Sequence, residues 1–160
     1  LPTTDRTRHW ANDRIPNYRD AGFSNNRCVQ TCQYLRIGGQ CLWFSEPDFK
    51  LSWQNAESYC ENMGIGAKLA SLPDPYAVLY YVMGKFGDMR FWVGGTDAVR
   101  GGSWRWVNGQ PISTDPGRFP WYPGTPSNRN PPEQCLEINY KGYYNDVTCW
   151  SRRPFICEVA

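Results

Sequence analysis

Seven cysteines constrain this 160-residue chain more than any other feature: Cys28, Cys32, Cys41, Cys60, Cys135, Cys149 and Cys157. The gaps between them are 3, 8, 18, 74, 13 and 7 residues, so there is no Cys-x-x-Cys pair. A structural zinc site draws on such pairs or on two nearby histidines, and the chain has one histidine, His9. Disulfides are the expected use, and with them an oxidising compartment. An odd count leaves one thiol free or bonded to a second chain. The same inventory argues against an enzyme. A Ser–His or Cys–His nucleophile would have to use His9, which lies in a polar, Arg-rich stretch. No Gly-rich phosphate-binding motif occurs, and no spacing singles out a carboxylate pair for glycoside hydrolysis.

Charge and hydropathy narrow the partners. Lys plus Arg number 17 against 15 Asp plus Glu, a net charge of +2, which is too even for a nucleic-acid binder that follows phosphates. Hydrophobic residues make up 41% and aromatics 16%, enough for a core. The longest apolar run, residues 77–83, falls far short of the roughly 20 residues a membrane helix needs, so no membrane insertion is expected. The chain opens on Leu1 with no charged-then-apolar leader and reads as a mature secreted, extracellular protein. It carries no Asn-x-Ser/Thr acceptor for N-linked glycan.

Two segments differ in character. Residues 1–31 form a polar extension with Arg6, Arg8, Arg14, Arg19 and Arg27 interleaved with Asp5, Asp13 and Asp20. That pattern reads as a solvated arm or an extension packed on the domain. Residues 32–160 form the domain. A strand is predicted at Cys41–Phe44 after the Gly38-Gly39 turn. Helices are predicted over Lys50–Met63, and from the Asp74 cap with Pro75 to Gly84 or Gly87. Val78, Leu79, Val82, Met83 and Phe86 are the apolar set of the second helix. A short strand or turn is expected at Leu69–Leu72. Phe91–Gly95, Trp104–Trp106, Leu136–Tyr140, Tyr143–Thr148 and Pro154–Glu158 supply further strands. Between them, residues 107–134 are rich in Pro, Gly, Asn and Ser, a long irregular loop of the kind that carries function. Helices early and strands late predict an α+β fold with mostly antiparallel sheets.

The order of several local motifs resembles the C-type lectin-like domain. The marks are Cys60 on the first helix, Leu69-Ala70-Ser71, Phe91-Trp92-Val93-Gly94-Gly95, and Trp104 to Gly109. They continue through Trp121 to Pro126, Glu133-Gln134-Cys135, Tyr144-Asn145-Asp146, Cys149 and Pro154 to Glu158. The entry segment around Ile37-Gly38-Gly39 is similar to that of secreted invertebrate immune lectins. The resemblance implies two helices on antiparallel sheets, with disulfides Cys60–Cys157 and Cys135–Cys149. It implies a third pair at the N-terminal end, Cys32–Cys41, with Cys28–Cys41 as the rival. Cys28 is then the candidate for an interchain bond in a homodimer.

The resemblance also implies a calcium ion in the long loop that shares a sugar's hydroxyls. Its ligands would fall on Thr125, Ser127, Glu133, Asn145 and Asp146, with Pro126 in the cis form between the first two. Hard cations want oxygen ligands, several of them charged, at about 2.3–2.6 Å. Glu133, Asn145 and Asp146 match that demand. Thr125 and Ser127 replace longer acid or amide side chains with neutral hydroxyls, so calcium is expected to be weak or absent and the sugar preference cannot be read. An auxiliary site would fall on Asp97, Gly101, Asn128 and Gln134 and is expected to be empty. Phe119, Trp121, Tyr140, Tyr143 and Tyr144 gather aromatic faces near the loop, with Trp121 expected as a core plug and Tyr122 and Arg118 as exposed contacts. The implied function is recognition of microbial or cell-surface glycans, with innate immune recognition or agglutination as the role. The alternative is a calcium-independent member that binds a protein or matrix ligand.

Overall fold

The computed structural model describes residues 34–37, 39–87, 89–129, 132–139 and 143–159. The extension 1–31 with His9 and Cys28, together with Cys32 and Tyr140, falls outside the described residues. Among the described residues, eight strands and two helices follow in order: β1 Tyr34–Ile37, β2 Gln40–Phe44, α1 Trp53–Glu61, β3 Lys68–Leu69, α2 Pro75–Phe86, β4 Phe91–Thr96, β5 Arg105–Trp106, β6 Cys135–Asn139, β7 Tyr143–Val147 and β8 Ile156–Val159. They form two four-stranded sheets, ordered β1-β2-β8-β3 and β5-β4-β6-β7, with every named pair antiparallel. The α+β class expected from the sequence is the one observed.

Local chemistry explains the helix limits. The Ser52 hydroxyl accepts the Asn55 N–H at 3.4 Å and caps α1. The helix starts at Trp53 rather than Lys50 because Leu51 is committed elsewhere, exchanging two 3.0 Å backbone bonds with Arg153. It ends at Asn62, short of the expected Met63. Ala56 and Cys60 are buried, and the Trp53 indole N–H reaches the Val93 carbonyl at 2.8 Å. Helix α2 begins as expected, with the Asp74 carboxylate accepting the Ala77 N–H at 3.1 Å and Pro75 in the first turn. Gly87, at φ 64°, ends it. Val78, Leu79 and Val82 are buried, whereas Met83 is 43% exposed and leaves the core face assigned to it.

Two patches of core result. One holds Phe44, Val78, Val82, Phe91, Val93, Trp104, Trp121, Leu136, Ile138 and Tyr144. The other gathers Trp43, Cys60, Leu69, Trp92, Phe155 and Cys157 beneath α1. The sheets meet at β4, where Trp92 N–H bonds Pro154 and Gly94 N–H bonds Ala70, at 2.8 and 2.9 Å. The approach is too close for side chains. A Cβ on Gly94 would lie 2.7 Å from the Leu69 carbonyl oxygen, and one on Gly95 would lie 2.6 Å from Leu136 Cδ2.

Both expected disulfides are present, Cys60–Cys157 across 97 residues and Cys135–Cys149 across 14. Cys41 is also disulfide-bonded, and the choice between Cys28 and Cys32 as its partner lies outside the described residues. Loop-closure entropy assigns about 4.7 kcal/mol to the first crosslink and about 3 kcal/mol to the second. Urea denaturation of Cys60→Ser/Cys157→Ser and Cys135→Ser/Cys149→Ser is expected to show losses in that order.

Glu57 on α1 is half-buried, and its carboxylate accepts the Leu69 N–H at 2.9 Å. Burial, reinforced by neighbouring Glu61, pushes its pKa up from 4.5 to about 7 against the pull of the Leu69 N–H and Lys68. The folded state therefore holds this proton more tightly than the unfolded chain does. Its contribution to stability is full below pH 4.5 and is lost as pH rises through about 7. Glu57→Gln keeps an acceptor for Leu69 and is expected to flatten the pH dependence of Tm between pH 4.5 and 7.

Candidate functional site

The described parts of the long loop, residues 107–129 and 132–134, are irregular but fastened. Phe119 and Trp121 are buried, with ring centroids 5.2 Å apart. Phe119 lies 4.8 Å from Tyr144 of β7, and Trp121 lies 5.2 Å from Trp104. Two backbone bonds fasten this plug to β7, Tyr122 N–H to the Tyr144 carbonyl at 2.7 Å and Tyr144 N–H to the Pro120 carbonyl at 2.9 Å. The Trp121 indole donates to the Ser113 carbonyl at 2.8 Å. Tyr144 is fully buried and its hydroxyl donates to the Pro75 carbonyl at 2.8 Å. Burial, together with Asp74 nearby, pushes the Tyr144 phenol well above its ordinary range, so the group stays a donor. Trp121 is thus the core plug the sequence suggested, and Phe119 and Tyr144 join it in the interior.

The plug supports a polar rim. The Thr125–Pro126 peptide bond is cis. The Ser127 N–H and Asn128 N–H both donate to Asp146 Oδ2, at 2.7 and 3.0 Å. The Ser127 hydroxyl donates to Glu133 Oε1 at 2.8 Å and lies 3.4 Å from Asp146 Oδ2. Asn128 takes φ 47°, a left-handed conformation that asparagine tolerates, and this aims its N–H at the same oxygen. Three of the expected site residues, Ser127, Glu133 and Asp146, therefore meet in one network. Thr125 stands beside them, but its hydroxyl donates to the Tyr122 carbonyl at 2.6 Å. Tyr122 is half-buried and packs edge-on against Tyr143 at 5.5 Å.

Strand alternation separates Asn145 from this group. Asp146 lies opposite Leu136, while Asn145 lies opposite Glu137 and hydrogen-bonds its carboxylate. Glu137 is fully buried, and its Oε1 accepts Arg153 Nε at 2.9 Å. Burial pushes the Glu137 carboxyl above its usual range against the opposing pull of Arg153, Arg90 and Asn145. Arg118 is exposed as expected and stands 3.9 Å from Asp115. It lines a cleft of about 460 Å³ with Gln40, Trp106, Gln110 and Glu158. Sequence reading missed that cleft because its walls come from four segments far apart in the chain, at Gln40, Ser71–Pro75, Trp106–Phe119 and Glu158. It also missed the backbone amides that seat Asp146. In the auxiliary position, Asp97 Oδ2 accepts the Gly102 N–H at 2.9 Å and closes a turn.

A calcium ion tests poorly against these donors. The ion takes six to eight oxygens, several of them charged. Here Asp146 Oδ2 is filled by amides, Glu133 by a hydroxyl, and the Thr125 hydroxyl and Asn145 carboxamide are turned to other partners. Among the described residues no three His, Cys, Asp or Glu side chains converge on a point. Asp146 Oδ1 is buried with no hydrogen-bond partner among the described residues, the single feature that would welcome a cation or a sugar hydroxyl. As placed, the residues do not make a full calcium shell.

This network makes Asp146 the clasp of the rim. Asp146→Ala is expected to cost about 2–3 kcal/mol, since hydrogen bonds to a charged acceptor are worth roughly 1.5–3 kcal/mol each and are partly replaced by water. Hydrogen exchange should show lost protection at the Ser127 and Asn128 amides, with the amides of β4 unchanged.

Comparisons with known proteins agree with this geometry. The profile described as the lectin C-type domain matches residues 49–159. Hepatic lectin of Gallus gallus is 33% identical over 130 residues, covering 81% of this chain and 59% of the relative, so the chain spans little more than half of that protein. The galactose-specific lectin nattectin of Thalassophryne nattereri is 30% identical over 138 residues, 82% of each chain. The trimeric Kupffer cell C-type lectin receptor Clec4f superposes with a TM-score of 0.70 at 26% identity, covering 91% of this chain and 96% of that one. With that profile spanning residues 49–159 and relatives at 30% identity or more, the chain belongs to the C-type lectin domain family, a family of non-enzymatic carbohydrate-recognition domains.

Proposed function

We propose that this protein is a secreted lectin that binds microbial or cell-surface glycans through the rim formed by residues 122–129, Glu133 and Asp146. The observation that carries the reading is the Ser127–Glu133–Asp146 network beside Tyr122, with Asp146 Oδ1 still unpaired. A sugar ring needs hydroxyl acceptors next to an aromatic face, and the rim has both. Arg118 lines the neighbouring cleft and extends the polar contact surface. The galactose specificity in the name of nattectin makes galactose the first sugar to test.

Calcium contributes weakly in this reading, because amide and hydroxyl donors already do for the rim what an ion would do. Glu133, Asp146 and Ser127 would be the nearest ligands for a loosely held ion, and Asn145 would have to leave Glu137 to join them. The two crosslinks and the lectin relatives support an extracellular location. No helix among the described residues is long and apolar enough to cross a membrane. We further propose that residues 32–160 are the recognition domain and residues 1–31 an extension. Cys28 would link two copies, and the gain in avidity suits recognition or agglutination of microbes.

A glycan array with and without chelator tests the proposal. Binding to galactose-bearing glycans is expected to survive EDTA and to fall on Glu133→Ala. A blank array with capture of a protein ligand instead would overturn the glycan reading. Calorimetry giving a calcium Kd tighter than about 0.1 mM, the strong end for extracellular modules, would overturn the weak-ion reading alone.

A further inference from the structure

A second concave site lies away from the rim. It has a volume of about 290 Å³ and is lined by Lys50, Met89, Arg90, Arg152, Arg153 and Pro154. Among the described residues that line it, four are cationic and none is acidic. Residues 32–160 carry no net formal charge, so this concentration is a local arrangement and not a reflection of a basic domain.

The cations are held in place. Arg153 Nε donates to buried Glu137 at 2.9 Å, and one terminal nitrogen of Arg153 donates to the Arg152 carbonyl at 3.0 Å. The Arg153 guanidinium lies 5.9 Å from the Trp92 ring centre. Arg152 donates to the Lys50 carbonyl at 3.1 Å. Arg90 stands 3.9 Å from Glu137. Each guanidinium has five N–H donors in a rigid fork, so Arg152 and Arg153 keep further donors beyond these bonds. Among the described residues, Glu137 is a carboxylate that Arg90 and Arg153 face, and it is fully buried behind them. Lys50 and Arg152 are exposed. An anion with several acceptor oxygens meets donors already oriented for it.

We propose that this pocket binds a sulfate group carried on a glycan. A tetrahedral oxyanion fits both the volume and the forked donors. The choice of a glycan as its carrier rests on the lectin reading above, and sulfate is the oxyanion with several acceptor oxygens that a glycan commonly carries, while the demand for such an oxyanion rests on the pocket itself. The pocket shares no lining residue with the rim network, so the two sites act separately.

The test uses the full chain and a size-defined heparin tetrasaccharide, with its desulfated counterpart and phosphatidylserine vesicles as parallel arms, all in EDTA at about 150 mM salt. The variant is Lys50→Gln/Arg152→Gln, because both side chains are exposed and neither binds Glu137. Sulfated tetrasaccharide binding is expected to weaken roughly tenfold or more in the variant, the loss of about two charge contacts. The same variant is expected to bind neutral glycans as the wild type does. Equal binding by variant and wild type, equal binding of the desulfated sugar, or vesicle binding without sulfated-sugar binding would each overturn the proposal. Glu133→Ala serves as the converse control. Loss of neutral-glycan binding there, with tetrasaccharide binding intact, supports two independent sites. If the neutral array is blank but the sulfated arm discriminates, the rim reading fails and the pocket stands.

Discussion

Strand β8 sits between β2 and β3, and its Cys157 is bonded to Cys60 of α1. The last residues of the chain thus close the sheet that contains the first strand, and one covalent link fastens helix, sheet and terminus together. The carbonyls of Pro154, Phe155 and Ile156, at the entry to β8, receive N–H groups from Trp92, Ser45 and Ala70. The position of β4, and through it the whole second sheet, depends on that seam. In a chain with so much irregular backbone, regular pairing alone would leave these pieces weakly coupled. The crosslink removes the unfolded states in which they part.

The second sheet uses a different device to carry the loop. A segment without repeating hydrogen bonds would ordinarily wander, yet here it sends two large rings inward and ladders briefly onto β7. Burial of Phe119 and Trp121 supplies the energy that backbone pairing does not. The rim above can therefore consist of small polar residues. Its shape comes from Asp146, seated on a buried strand, receiving the amides of a turn.

Sequence reasoning reached the fold through the order of local motifs, from Cys60 to Glu158, which resembles a known family. The Cys60–Cys157 pairing follows from that resemblance, and Phe91–Gly95 reads as a short buried strand. Asp74-Pro75 marks a helix start. Reasoning fell short where side-chain direction decides. Asn145 and Asp146 are neighbours, and only the register against β6 reveals that they face opposite ways. Met83 satisfies helical periodicity yet lies 43% exposed, since the apolar face of α2 is narrower than the spacing allows. The basic pocket was invisible because Lys50, Arg90 and Arg152-Arg153 are far apart in sequence and are brought together by the Leu51–Arg153 pairing, the Arg152–Lys50 bond and Glu137.

The two ends of the rim have unusual anchors. Trp121 enters the core on one side and Cys135, tied to Cys149, enters it on the other. The described residues between Pro123 and Glu133 hang from fixed posts, and the Asp146 carboxylate ties them to the scaffold through the Ser127 and Asn128 amides. Such a stretch behaves as an exchangeable cassette. New residues can be threaded between the posts, and new tastes in ligand acquired, while the scaffold beneath keeps its packing.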